Sequence, residues 1–335
     1  MNRLGGILLA PDTHHLDHLA PLCSLLKIPL ILSTQEQQRL ATTYYPDLAT
    51  RPLESAEAIV KQFDSLITST PRALFDQTFF FAQHLLGKEI ETFWCPHGNS
   101  DKGRVSTFME GLKEEGTALV YGPLMADFLK AKGITAQQIT IGNYRLAYFE
   151  KHRGFYKGLL PPLQKTTTLL WAPTWNDEEK SSSFPWALQP LLQNLPEKWQ
   201  LIIKLHPHLY DQFTSKIAAL KSQIEERPNI HLVEGFPPIY PLLEKVDLYV
   251  GDRSSIGYDY LAFDRPMVFF DKPNPHLPLL SCGPTAPFAD PYPTIVEELS
   301  NKERYSEQRQ RLYKQTFAEY NPCKADLHSL SRPAF

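Results

Sequence analysis

The chain has 335 residues, 42% of them hydrophobic and 21% charged, and a formal net charge of −3. That length exceeds one small core and suits two domains of about 150 residues each, and the near-neutral balance excludes a broad nucleic-acid-binding surface. No run reaches the ~18 apolar residues of a membrane span. The four cysteines, Cys23, Cys95, Cys282 and Cys323, have no paired spacing, so free thiols in a reduced, cytoplasmic setting are expected.

Met1 to Ala10 is charged and then apolar; its apolar part is too short for a signal peptide and reads as a first core strand at Ile7 to Leu9. The next segment, Asp12-Thr-His-His-Leu-Asp-His18, has three readings: a metal pair at His14 and His18, a polar helix start capped by Thr13 or Asp12, or a set of substrate contacts. No metal or cofactor is expected. A helix at His18 to Leu26, a strand at Pro29 to Leu32 and a polar helix near Gln35 follow. Ser65 to Thr68 is a weak strand, and Pro71 to Leu86 a helix with an aromatic face. Ile90 to Trp94 is a strand ending at Cys95-Pro-His-Gly98. Thr117 to Tyr121 is another, with a helix at Pro123 to Ala131.

The pattern breaks near Lys151 to Pro162 and then restarts, which predicts domains at 1–157 and 158–335. The basic residues Lys151, His152, Arg153 and Lys157 at the break have two readings, a solvated helix face or a contact for anionic lipid or an acidic polymer. In the second half, strands are expected at Thr167 to Trp171, Leu201 to Lys204, Ile230 to Val233, Val246 to Val250 and Pro266 to Phe270. Helices are expected at Lys216 to Glu225 and Ile239 to Lys245, with a charged helical tail from about Pro293. This alternation predicts an α/β architecture of two Rossmann-like domains with parallel sheets and a C-terminal helical tail. Ligands of such sheets sit beyond the carboxyl ends of strands.

The strand ends carry distinctive chemistry. In Gly251-Asp-Arg-Ser-Ser255 a strand, a tight turn and a serine-rich helix start offer backbone N–H groups and hydroxyls to an anion. Lys204 adds a cation beside His206, again suited to phosphate. Thr174, in the rigid Ala172-Pro-Thr-Trp175, offers another hydroxyl. His97 and His206, one in each half, suit proton transfer near neutral pH.

His97-Gly98, Ala172-Pro-Thr-Trp175, Lys204-Leu-His-Pro207 and Asp252-Arg-Ser-Ser-Ile-Gly-Tyr-Asp259, in that order, resemble the CDP-glycerol glycerophosphotransferase family of teichoic-acid polymerases. The segment Asp264-Arg-Pro-Met-Val-Phe-Phe-Asp271 resembles the family's strand after the serine motif. The resemblance implies a GT-B fold, with two Rossmann-like domains facing across a cleft, and transfer of glycerol phosphate from CDP-glycerol to an acceptor hydroxyl with release of CMP. It makes His97 the base, with His206, Ser254 and Ser255 on the donor phosphates beside Lys204, Arg253 and Thr174. Gly235 and Phe236 fall where such folds meet the nucleotide base, and His14, His18 and Gly98 fall on the acceptor side. A lipid-linked acceptor and peripheral contact with the inner face of the plasma membrane belong to the same expectation, as does the absence of a nucleic-acid partner.

The chain departs from the family at Asn99-Ser-Asp-Lys-Gly103, at Asn176 in place of arginine, and at Arg253 in place of tyrosine. These departures bear on the acceptor and the donor rim. Two other readings stay open on them: a nucleotide-sugar glycosyltransferase of the same fold, building capsule or lipopolysaccharide, and a non-catalytic nucleotide-binding relative. An epimerase of similar fold would want carboxylates that are not evident at the strand ends.

Overall fold

The computed structural model describes residues 3–9, 13–99, 112–159, 167–176, 180–270 and 277–321. Asp12, the Ser100–Gly103 departure, Asp177, Asp271 and Cys323 lie outside them.

The first sheet is built on β1 (Leu4–Leu8), whose five residues are all buried. Its other strands are β2 (Leu30–Leu32), β3 (Thr50–Pro52), β4 (Ser65–Thr68), β5 (Glu91–Trp94), β6 (Thr117–Val120) and β7 (Gln137–Thr140). All pair in parallel in the order β3-β2-β1-β4-β5-β6-β7. Continuous apolar runs mark the central strands because helices cover both faces of such a sheet. The edge strands β3 and β7 are polar and half-exposed. Neither has the apolar run that announces a strand, and neither was expected. The expected helix at Pro71 to Leu86 is a 3-10 turn, Arg72–Phe75, followed by a helix at Asp76–Leu86.

The second sheet consists of β8 (Thr168–Ala172), β9 (Gln200–Ile203), β10 (Ile230–Leu232), β11 (Leu248–Gly251) and β12 (Met267–Phe269). These too are all parallel, in the order β10-β9-β8-β11-β12. Their inward residues, with Leu188, Leu191, Leu209, Ile217, Leu220 and Ile295 from the covering helices, form one core cluster.

The chain divides into two compact units, one of residues 1–98, 103–153 and 315–335, the other of 99–102 and 154–314. Sequence pattern placed the break at 157/158 and the whole tail with the second half; packing groups 315–335 with the first. The described tail is held there by Ala318 N–H on the Tyr121 carbonyl at 2.9 Å, by Asn143 N–H on the Ala318 carbonyl at 3.0 Å, and by Phe317 edge-on to Tyr121.

A buried charge cluster anchors the helix Ser306–Thr316 in the second unit. Arg309 is fully buried; its Nε donates to Asp264 at 2.8 Å and its Nη2 to the Lys302 carbonyl at 2.7 Å. Asp264 also accepts from Ser306 and Gln310. Burial raises the Asp264 pKa, but these hydrogen bonds outweigh it and hold the carboxyl below its usual range. Glu298 is fully buried as well, and its nearest cation is Arg309 Nη1 at 3.8 Å, beyond a hydrogen bond. Burial pushes its carboxyl up to about 7, against the pull of Arg309.

Between the ordinary carboxylate range and pH 7 the folded chain therefore holds a proton that the unfolded chain has released, so stability falls as pH rises through that window. Glu298→Gln, which resembles the protonated acid, is expected to shrink the loss of stability between pH 5 and pH 8 by roughly 1–3 kcal/mol, read from thermal melts at both pH values. An unchanged pH dependence contradicts this account of the buried carboxyl.

Candidate functional site

Register alignment brings the first unit's chemical residues together. Ile7 of β1 pairs with Thr68 of β4, and Thr68 with Trp94 of β5, so the three strands end level. Beyond them come the turn Thr13–His15, Ser69, and Cys95-Pro-His-Gly98. The rings of His15 and His97 stack with centroids 4.4 Å apart and planes 15° apart. His14 meets His15 edge-on at 4.5 Å and lies 6.1 Å from His97. Gly98 sits at φ 123°, a conformation that favours glycine and turns the chain away directly after His97.

His18 is behind this cluster rather than in it. Its ring is buried, and Nδ1 lies 2.7 Å from the Tyr121 hydroxyl, which itself donates to the Pro96 carbonyl at 2.8 Å. Tyr121 has one proton to give, so His18 Nδ1 carries the N–H that completes the chain. Burial first, and then the Arg145 cation and the neighbouring histidines, hold the His18 pKa well below its usual value, so the ring is neutral. His18, expected on the acceptor side, is thus buried behind the Pro96–His97 loop and linked to it through Tyr121. Cys95 is buried against the Tyr144 hydroxyl, and burial pushes its thiol up to about 12, so it stays protonated and is no nucleophile.

The helix Leu16–Leu26 is pinned by its own proline. Pro21 has no N–H for the Asp17 carbonyl four residues back. Arg145 Nε donates to that carbonyl at 3.0 Å, its Nη2 pairs with the Asp17 carboxylate, and the Tyr45 hydroxyl takes the other carboxylate oxygen at 3.2 Å. His14 and His18 do not share a helix face, because the helix begins at Leu16 after a 3-10 turn. Among the described residues no three His, Cys, Asp or Glu side chains are grouped to hold a metal.

In the second unit Trp171 pairs with Ile203 and Ala172 with Gly251, while Ile203 pairs with Leu232, so these carboxyl ends also align. Thr174, Lys204, His206, Gly235, Phe236, Arg253, Ser254 and Ser255 all follow this one edge. Lys204 Nζ donates to the Phe236 carbonyl at 2.8 Å, which ties two of the loops together. His206 caps the helix Pro207–Gln212, its Nδ1 accepting from His208 N–H at 3.2 Å. The neutral ring therefore carries its proton on Nε2, a donor suited to a phosphate oxygen.

The strand–turn–helix expected at Gly251 to Ser255 is present, with two refinements. Ser254 is the N-cap of the helix Ser255–Tyr260, but its hydroxyl pairs with the buried Tyr249 hydroxyl at 3.0 Å instead of closing over the first turn. The Tyr249 hydroxyl passes so close to Gly251 that any Cβ there would collide with it. Asp252 is buried; its carboxylate accepts from the backbone N–H groups of Thr174 and Ser183, both at 2.9 Å. Arg253 and Ser255 are half-buried. Gly235 is exposed at φ 58° and Phe236 is buried.

Residues 150–275 match the model of the CDP-Glycerol:Poly(glycerophosphate) glycerophosphotransferase family. The resemblance read from the motifs is borne out for this part of the chain; His97 and Gly98 precede it. Over 109 residues the chain is 26% identical to the teichoic acid glycerol-phosphate primase of Bacillus subtilis (strain 168), a match covering 32% of this chain and 26% of that protein. A similar match links it to the same primase of Bacillus spizizenii, 26% identical over 103 residues and covering 30% and 24% of the two chains. The matches thus span about a quarter of the curated relatives' length.

Among solved structures, a CDPG-soaked form of the wall teichoic acid polymerase TagF superposes with a TM-score of 0.68 at 14% identity, covering 96% of this chain and 86% of that one. UDP-GlcNAc 2-epimerase from Neisseria meningitidis bound to UDP-GlcNAc gives 0.60 at 10% identity, covering 98% and 99%. The chain has the GT-B fold, as the resemblance implied.

The sequence reading missed His15, Tyr121, Arg145 and the internal role of Asp252. For Asp252 the test is direct. Asp252→Ala leaves two buried N–H groups without their acceptor, and is expected to cost about 2–4 kcal/mol, measured by urea denaturation, and to weaken any nucleotide binding at this edge. A variant as stable as its parent contradicts the pinning role.

Proposed function

We propose that the chain is a glycerophosphotransferase that moves glycerol phosphate from CDP-glycerol to an acceptor hydroxyl and releases CMP, in the synthesis of a cell-envelope polymer. The observation that carries this reading is the carboxyl edge of β10-β9-β8-β11, where Lys204, His206, Thr174, Ser254 and Ser255 collect within the family-matched residues. The first unit is the acceptor domain and the second the donor domain. The acceptor hydroxyl attacks the glycerol-bearing phosphorus as His97 takes its proton. A P–O bond forms to the acceptor, and the bond to CMP breaks. Lys204, Arg253 and the His206 N–H meet the charge that gathers on the phosphates; the serine and threonine hydroxyls orient them. Gly235 and Phe236 read the cytosine, and His14 and Gly98 border the acceptor.

The acceptor in this reading is lipid-linked, which brings a cytoplasmic chain to the inner face of the plasma membrane as a peripheral protein. Among the described residues no helix is long and apolar enough to cross a membrane. A second reading on the same fold is a nucleotide-sugar glycosyltransferase. Product analysis separates the two, since only the first places phosphorus in the acceptor.

His97→Ala is expected to lower kcat by about 10² to 10⁴ while leaving the calorimetric Kd for CDP-glycerol near that of the parent. Full turnover in that variant rejects His97 as the base. Ser254→Ala combined with Ser255→Ala should instead weaken CDP-glycerol binding by roughly 10- to 100-fold. Failure of the parent chain to bind any cytidine nucleotide would sink the donor-site reading altogether.

A further inference from the structure

His97 stands at a strand end just before a glycine with positive φ, and its ring is half-buried. The ring that lies flat against it is His15, parallel to within 15° at 4.4 Å. His15 is itself held: it is buried, and its Nδ1 sits 2.9 Å from the hydroxyl of Ser69, which is 1% exposed at the end of β4. His14 meets this pair only edge-on.

We propose that His15 is a positioning residue for His97. Locked by Ser69, the His15 ring sets the plane of the neighbouring imidazole and so aims its basic nitrogen at the acceptor hydroxyl. The inference rests on the reading of His97 as the general base. A base misdirected by a fraction of its reach loses rate while donor affinity, which is set elsewhere, is unaffected. Stacking needs a flat ring in that place, not a titratable one.

The experiment measures kcat, KM and CDP-glycerol Kd for His15→Ala, His15→Phe, His97→Ala and the double variant His15→Ala/His97→Ala, with thermal melts to establish folding. His15→Ala is expected to lower kcat about 10- to 100-fold with an unchanged Kd, and His15→Phe to recover most of that loss. In the His97→Ala background the His15→Ala change should cost nothing further, because its effect passes through His97. A parental kcat in His15→Ala, a His15→Phe variant as slow as His15→Ala, or an additive loss in the double variant overturns the inference while leaving the base reading intact. Full turnover in His97→Ala removes the base reading instead. Should His15→Ala not fold, His15→Phe and His15→Leu carry the test. The first, which keeps a flat ring, should then hold most of the parental kcat, and the second, which fills the place without one, should lose part of it at constant Kd. Failure of either pattern overturns the inference.

Discussion

Arg145 and Asp17 are both taken out of water in the first unit, and much of what lies around His97 depends on their staying together. Removing one member of such a pair leaves an uncompensated buried charge, typically a loss of 3–5 kcal/mol. The pair is also backed by a covalent fact. Pro21 cannot bond the Asp17 carbonyl, so the guanidinium finds a backbone acceptor and a carboxylate side by side. One helix start is thereby fixed against the helix Tyr144–Lys151, and with it the turn that carries His14 and His15. From the other side, His18 and Tyr121 hold the Pro96 carbonyl. The loop bearing the proposed base is gripped from two directions by buried polar groups.

The second unit solves the same problem with a carboxylate. Asp252 ends β11 and reaches back to the loop after β8, while Tyr249 braces the turn from beneath. In both units chemistry-bearing side chains sit on loops, and rigidity comes from buried polar groups at adjacent strand ends. That division suits a transferase, whose rate depends on geometry held before substrate arrives. The carboxylate that follows β11, Asp252, is accordingly spent on structure, as is Asp17 in the first turn of the helix Leu16–Leu26.

What the sequence disclosed follows from what each feature depends on. Buried parallel strands announce themselves as apolar runs, so β4, β5 and β8 could be read to within a residue at each end, whereas β1, expected at Ile7 to Leu9, begins at Leu4, and polar edge strands such as β7 could not be read. The residues proposed for the donor side could be picked out because each follows a strand end, and parallel pairing makes strand ends neighbours. His15 was not legible. Helical spacing joined His14 to His18, and only the 3-10 turn before Leu16 turns the middle histidine onto His97. His18 carried a polar label in a polar-looking segment, and its burial depends on Tyr121, which is 103 residues away in the chain.

The tail beyond the helix Ser306–Thr316 bears on how this chain can be taken apart. Its segment around Ala318 closes backbone groups of Tyr121 and Asn143, which belong to the first unit, although residues 154–314 of the second unit intervene in the chain. A first half expressed alone as residues 1–153 would leave those groups uncovered. That unit, taken apart from the second, therefore needs residues 315–321 supplied with it.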